Sequence, residues 1–338
     1  MSHITQAYQS DYMQLFSFAS FASLISPVLG GVLYHKCGYY GVFGLGIALL
    51  GVDFLLRLFV IEKKIAAKYT TLIDDESDNT SITSSSSTSD SLAGSIQDER
   101  SPLLRKDDDE DFNPAYILPE YKSTLIKKLP ILACLQDFSL LAALMVSFVQ
   151  AMLLGAFDAT VPIVGSEFFQ FDSLKAGLIF LTISVPDLIL GPGMGWVTDN
   201  YGTKVTAAGG YLVLTPALFL LRLVRPGGTK EVLEYCALLA FSGVGLSIIN
   251  SPSIVEAGAV LLRYYKANPG LFESEPYAQL YGINSMVFSG GLTLGPLIAG
   301  SLKERVGYGN MNAVLAGICF FTSVLSACFI GGRPRVKT

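Results

Sequence analysis

Three carboxylates stand inside long apolar runs, where an ionised group is expensive to keep. Asp158 lies in MLLGAFDATVPIV, Asp187 in ISVPDLILGPG and Asp53 in LLGVDFLLRLFV. A carboxyl desolvated in this way can take up and release a proton near neutral pH, or hold a cation. Asp158 is the first candidate for such chemistry. Its alternative is an acid close to a helix end, wetted by the adjoining loop. Arg57 follows Asp53 by one helical turn, so the two can pair and cancel much of the burial cost, which favours a structural role. Asp187 has no partner nearby in the sequence and directly follows Pro186, which leaves a cavity-facing and a packed position equally open. Asn250 and Asn284 also interrupt apolar runs, either as hydrogen-bonding glue between helices or as part of a binding site. Glu256 falls near a helix end and is expected to be solvated.

Other chemistries find little support. The five cysteines (Cys37, Cys134, Cys236, Cys319 and Cys328) are scattered without metal-ligand spacing and suit small apolar filler. His3 and His35 are the only histidines. The sequence holds no Gly-x-Ser-x-Gly elbow and no metal cluster, so neither an enzyme nor a bound cofactor is expected. The net charge of −5, without a basic patch, argues against nucleic acid as a partner.

The elements that must carry these residues are set by composition. Hydrophobic residues make up 51% of the 338 and charged residues 15%, against about a quarter in an ordinary soluble domain. Mean hydropathy is +0.49. A membrane-crossing helix needs about 20 mainly apolar residues. Eight stretches qualify, at roughly 11–33, 41–61, 138–164, 175–198, 205–224, 233–261, 279–301 and 311–332. This predicts an all-α protein embedded in a lipid bilayer. Prolines inside the stretches are tolerable there, because neighbouring helices satisfy the freed backbone groups.

Residues 65–130 are a different polymer. The runs SITSSSSTSDS and KDDDEDF cannot bury enough apolar area to offset chain entropy, which predicts a disordered loop. Lys63, Lys64 and Lys68 before it, with Lys122, Lys127 and Lys128 after it, predict a cytoplasmic location. Within it Glu99-Arg-Ser-Pro-Leu103-Leu104 fits an acidic dileucine pattern, the kind of extended peptide that sorting adaptors bind. That would deliver the chain to a vacuolar or other endomembrane, the plasma membrane being the alternative.

The sequence also repeats itself. Aligning Pro27 with Pro296 sets Ser20 against Ser289, Gly31 against Gly300, Gly38 against Gly307 and Tyr39 against Tyr308. An apolar helix follows each copy. Four helices precede the second copy after the loop and none precedes the first, so equivalent halves would require four more before Met1. The expected organisation is 1–64 as the last two helices of an N-terminal half, 65–130 as the loop, and 131–338 as a six-helix C-terminal half. Parallel repeats of this kind are a transporter plan.

The segment Gly195-Trp-Val-Thr-Asp199-Asn-Tyr-Gly202-Thr-Lys204 resembles a loop signature of the major facilitator superfamily, Gly-x-x-x-Asp-x-x-Gly-x-Arg/Lys, at the position where that family carries it. Ser-Pro27-x-x-Gly30-Gly31 and Gly295-Pro296-x-x-x-Gly300 resemble the family's Gly-Pro-rich helix-packing signature, associated with proton antiporters. Phe157-Asp158-Ala-Thr-Val-Pro162-Ile163 is similar to an acidic segment of the vesicular amine transporter branch of the drug-proton antiporters. Two further acids of that branch fall here at Asn250 and Ser285, a departure that sets amine substrates apart. The resemblance implies a secondary transporter of a small organic solute, working by alternating access and exchanging protons. It assigns proton or solute contacts to Asp158, Asp187, Asp53, Asn250 and Asn284, and a conformational clamp to Asp199 and Lys204. A transport-inactive scaffold or sensor derived from such a transporter is the alternative.

Overall fold

A computed structural model describes residues 2–59, 116, 118, 131–268 and 277–331. The dileucine pattern and most of the loop lie outside the described residues. Two units divide the chain, Met1–Lys36 with Asp109–Thr338, and Cys37–Asp108.

Every described element is a helix: α1 Ser2–Phe59, α2 Ile131–Cys134, α3 Phe138–Phe169, α4 Ser173–Tyr201, α5 Thr203–Leu221, α6 Thr229–Ile249, α7 Pro252–Ala267, α8 Tyr277–Val306 and α9 Tyr308–Phe329. Among the described residues seven helices are long and apolar enough to cross a membrane, α6 and α7 counting as one. All eight predicted stretches fall on these helices. The count differs because the first two predicted spans share α1. They are separated by Gly38, whose backbone (φ 67°, ψ −163°) is not helical. Gly307, its counterpart in the sequence repeat, has φ 81° and ψ 162° and forms a one-residue turn between α8 and α9. A positive φ with extended ψ is nearly closed to any residue with a Cβ. The repeat therefore extends from residue types to backbone conformation. The sixth predicted span is broken at Asn250–Ser251, and Pro252 opens the second piece, where its missing N–H is no loss.

Helix α3 is the central post of the larger unit. It is apolar all round, and residues from Leu140 to Phe169 are buried on successive turns against α4, α7, α8 and α9. At 32 residues it is about 48 Å long, so both ends project beyond hydrocarbon. Asp137 caps its start, accepting from Ser139 N at 2.8 Å. Near the other end Glu167 pairs with Lys303 of α8 at 2.7 Å.

Glycines let backbones meet. A Cβ on Gly155 of α3 would stand 2.8 Å from both Leu292 O and Pro296 Cδ of α8. From the α8 side, a Cβ on Gly291 or Gly295 would collide with Phe148 O or Met152 O of α3. The same device joins α1 to the start of α4: a Cβ on Gly31 would lie 2.6 Å from Ser173 O, and one on Gly177 2.6 Å from Pro27 O. Large apolar side chains such as Leu212, Leu223, Phe320 and Phe321 face outward, as a lipid-bathed surface requires. Of the packing signature, Gly31, Gly295 and Pro296 touch neighbouring helices, whereas Gly30 and Gly300 face open space.

This separates two glycines of similar sequence context. Gly295→Ala must push α8 off α3 and is expected to cost about 2 kcal/mol. Gly300→Ala should stay within about 0.5 kcal/mol of the parent. Heating the detergent-solubilised protein and following its monodisperse fraction tests the pair; equal midpoints would refute the close crossing.

Candidate functional site

Asp187 lies at the midpoint of α4, fourteen residues from each end. It is half-buried, and its Oδ1 is enclosed without a hydrogen-bond partner among the described residues. Asp158 lies on α3, eleven residues before its end, and is exposed. Pro162, four residues on, has no N–H to give to the Asp158 carbonyl. One turn of α3 thus offers both a carboxylate and a main-chain oxygen lacking its usual partner. Asn284 is half-buried on α8. Among the described residues no ion pair or hydrogen bond ties Asp158, Asp187 or Asn284 to one another.

Two predicted residues are paired. Arg57 Nε donates to Asp53 Oδ2 at 2.8 Å, both side chains being exposed within the smaller unit. This is the i,i+4 contact read from the spacing. Asn250, at the break between α6 and α7, accepts from Gln150 Nε2 of α3 at 2.9 Å. Beside it Ser251 Oγ and Thr198 Oγ1 of α4 are 3.0 Å apart. The break is therefore pinned by amide and hydroxyl groups from two other helices.

The loop signature forms a tighter turn than its length suggests. Helix α4 ends at Tyr201 and α5 begins at Thr203, so Gly202 alone (φ 86°, ψ 153°) reverses the chain. Asp199 and Lys204 are exposed on either side, and neither makes an ion pair among the described residues. Gly195 is half-buried on the last turns of α4.

Glu256 departs from its sequence expectation. It is 4% exposed rather than solvated. Its Oε2 accepts from Thr203 Oγ1, and its Oε1 accepts from Gly331 N at 3.1 Å. Gly202, the N-cap of α5, has no side chain with which to cap. A carboxylate from α7 instead lies beside the positive end of the α5 dipole, bonded to the Thr203 hydroxyl. Glu256 thus fastens the signature loop and the end of α9 onto α7.

A family model described as Major Facilitator Superfamily matches residues 15–261. The chain belongs to the major facilitator superfamily. It is similar to the MFS-type transporter ppzB of Metarhizium majus (strain ARSEF 297), with 39% identity over 328 residues, 95% of this chain and 72% of that protein. The counterpart in Metarhizium rileyi (strain RCEF 4871) is 38% identical, across 94% of this chain and 67% of its own length. An uncharacterized MFS-type transporter, C18.02, of Schizosaccharomyces pombe (strain 972 / ATCC 24843) is 32% identical over 93% and 65% respectively. These relatives and the seven apolar helices identify a multi-pass membrane protein of a transporter family.

For a major facilitator chain, the arrangement offers acids within two membrane-crossing helices, an amide pair at a helix break, and a loop held by a buried carboxylate. Gln150 and Thr198 are additions to the residues singled out from sequence, and Glu256 gains a role that its sequence reading did not give it. Gln150 carries the signal used for Asp158, a polar residue in an apolar run (SFVQAMLL), and could have been found by it. Glu256 also interrupts an apolar run (IVEAGAVLL), but its place near a helix end led to the expectation that it is solvated.

Removing the carboxylate leaves Thr203 Oγ1 and Gly331 N without their acceptor. Glu256→Ala is expected to cost about 2 kcal/mol, and Glu256→Gln, which keeps an acceptor but loses the charge at the α5 terminus, about half as much. The same thermal assay checks the order Ala below Gln below parent; an unchanged midpoint for Glu256→Ala would show that the latch carries no stability.

Proposed function

We propose that this chain moves a small organic solute across its membrane by alternating access, in exchange for protons. The observation that carries the proposal is Asp187, an acid at the middle of a membrane-crossing helix with one carboxylate oxygen enclosed and unpartnered. An ionised group at that depth costs about 2.5–3.5 kcal/mol on insertion scales, so it is kept for a use. Its proposed use is to bind a proton in one state of the cycle and the solute or its charge in the other. Asp158 is proposed as the companion acid, its carboxylate and freed carbonyl both available to a ligand. Asn284 and the Gln150–Asn250 pair are proposed as neutral contacts beside the path. Asp53, neutralised by Arg57, is assigned a supporting role.

The signature loop is proposed to act as the clamp. Asp199 and Lys204 are free to meet charges that approach during rocking, while Glu256 keeps the turn between them in place. Residues 65–130 are proposed as the cytoplasmic connection between two halves, with Glu99, Leu103 and Leu104 as an adaptor signal.

The chain is reconstituted into vesicles with a trapped pH-sensitive dye, and organic solutes are added across an imposed pH gradient. At least one solute should dissipate the gradient. Asp187→Asn, which imitates the protonated acid and cannot release a proton, should slow that flux at least about tenfold, and Asp158→Asn should weaken it as well. Undiminished solute-driven proton flux in both variants would retire the two acids. A chain that gives no flux with any solute, yet remains folded, would favour the scaffold reading.

A further inference from the structure

At the cytoplasmic end predicted for α7, a piece of the connecting loop is held by contacts that packing alone does not require. We infer that the C-terminal end of α7 is a docking site for the connecting loop, and that its occupant is the chain's own Tyr116 with Leu118.

The recognition rests on Asn268, the non-helical residue that closes α7. Its Oδ1 accepts from Leu118 N at 3.0 Å, and its Nδ2 donates to Tyr116 O at 2.9 Å. A side-chain amide thus supplies the donor and the acceptor that these two main-chain groups need. The second hydrogen of Nδ2 is donated to Tyr264 O at 2.8 Å, which locks the amide to the helix end. The main chain is read by these bonds, across a separation of about 150 residues.

Side chains supply the rest. The Tyr116 ring stands edge-on to Tyr264, with centroids 5.2 Å apart and planes at 85°. Arg263 Nη1 reaches the Tyr116 hydroxyl at 3.4 Å. Tyr264 is itself fixed, donating its hydroxyl to Asp137 Oδ2 at 3.0 Å. Leu118 joins Ile131, Cys134, Leu140, Leu261 and Leu280 in a small core, separate from the main one, that includes the first turn of α3. Tyr116 and Leu118 are each only 8% exposed. The pocket takes an aromatic residue and, two positions on, an aliphatic one. Chain following the acidic run is thereby tied to the same helix whose Glu256 holds the signature loop.

The test is cysteine protection in the full-length, detergent-solubilised protein. Cys37, Cys236 and Cys328 are replaced. Cys134 and Cys319, both fully buried, are retained. Burial, reinforced by nearby Asp137, pushes the Cys134 thiol up to about 12, so it stays silent towards maleimide. In this background Leu118→Cys should be labelled at least about tenfold more slowly than Glu304→Cys, an exposed control. Adding Asn268→Ala should bring the two rates within about twofold, and Tyr116→Ala should do the same. Asn268→Asp keeps the acceptor for Leu118 N but loses both donors, so it should fall between; it also serves if Asn268→Ala does not elute as a single folded species. Equal labelling of Leu118→Cys and Glu304→Cys with Asn268 intact would overturn the inference. So would full protection that persists in folded Asn268→Ala protein.

Discussion

Hydrocarbon offers backbone groups nothing to bond to, so each crossing segment must close its own hydrogen bonds as a helix. Apolar side chains gain little by leaving lipid for another helix, and association then depends on how closely helices approach. The crossing of α3 and α8 meets that condition. Gly155 admits Leu292 O and the Pro296 ring, while Gly291 and Gly295 admit Phe148 O and Met152 O. Backbone lies against backbone at several points along one line. Pro296 belongs to that crossing because its ring occupies space that glycine opens on the partner. Once this pair is fixed, α3 is a post against which α4, α7 and α9 are set.

A rigid post lets polar groups be matched at depth. Gln150 meets Asn250, Tyr211 gives its hydroxyl to Val146 O at 2.7 Å, and Thr198 meets Ser251. These pairs remove the cost of burying polar atoms and set the register between helices. Among the described residues a few enclosed polar atoms lack such a match, Asp187 Oδ1, Gln279 Oε1 and Asn312 Nδ2 among them.

What could be read from sequence follows from which forces are local. Span positions were legible because composition alone decides whether a segment prefers lipid. The Asp53–Arg57 pair was legible because helix geometry brings residues four apart together. Gly38 and Gly307 were legible as counterparts because a one-residue reversal needs a residue type that few positions can replace. Glu256 was misjudged for the opposite reason. Its burial is created by Thr203, 53 residues earlier, and Gly331, 75 residues later, neither of which marks the sequence around it. The interruption at Asn250–Ser251 was missed because the apolar composition on either side is continuous.

Helix α7 nevertheless carries a pattern that joins these long-range contacts. Pro252, Glu256, Val260, Tyr264 and Asn268 are spaced four residues apart, and the first four are buried. At about 100° per residue, each step of four advances about 40° around the axis, so the series turns through about 160° along the helix. A stripe that winds in this way cannot face one neighbour throughout. Its start meets the pinned break, its next turn reaches α5 and the end of α9 through Glu256, and its last turns reach the N-cap of α3 and the loop segment through Tyr264 and Asn268. The polar members sit where the stripe passes helix termini and irregular chain, whose backbone groups lack partners of their own. The apolar member Val260 lies between them. One winding stripe thus gathers the start of α5, the end of α9, the start of α3 and the loop segment, and its sequence is polar where those ends need bonds.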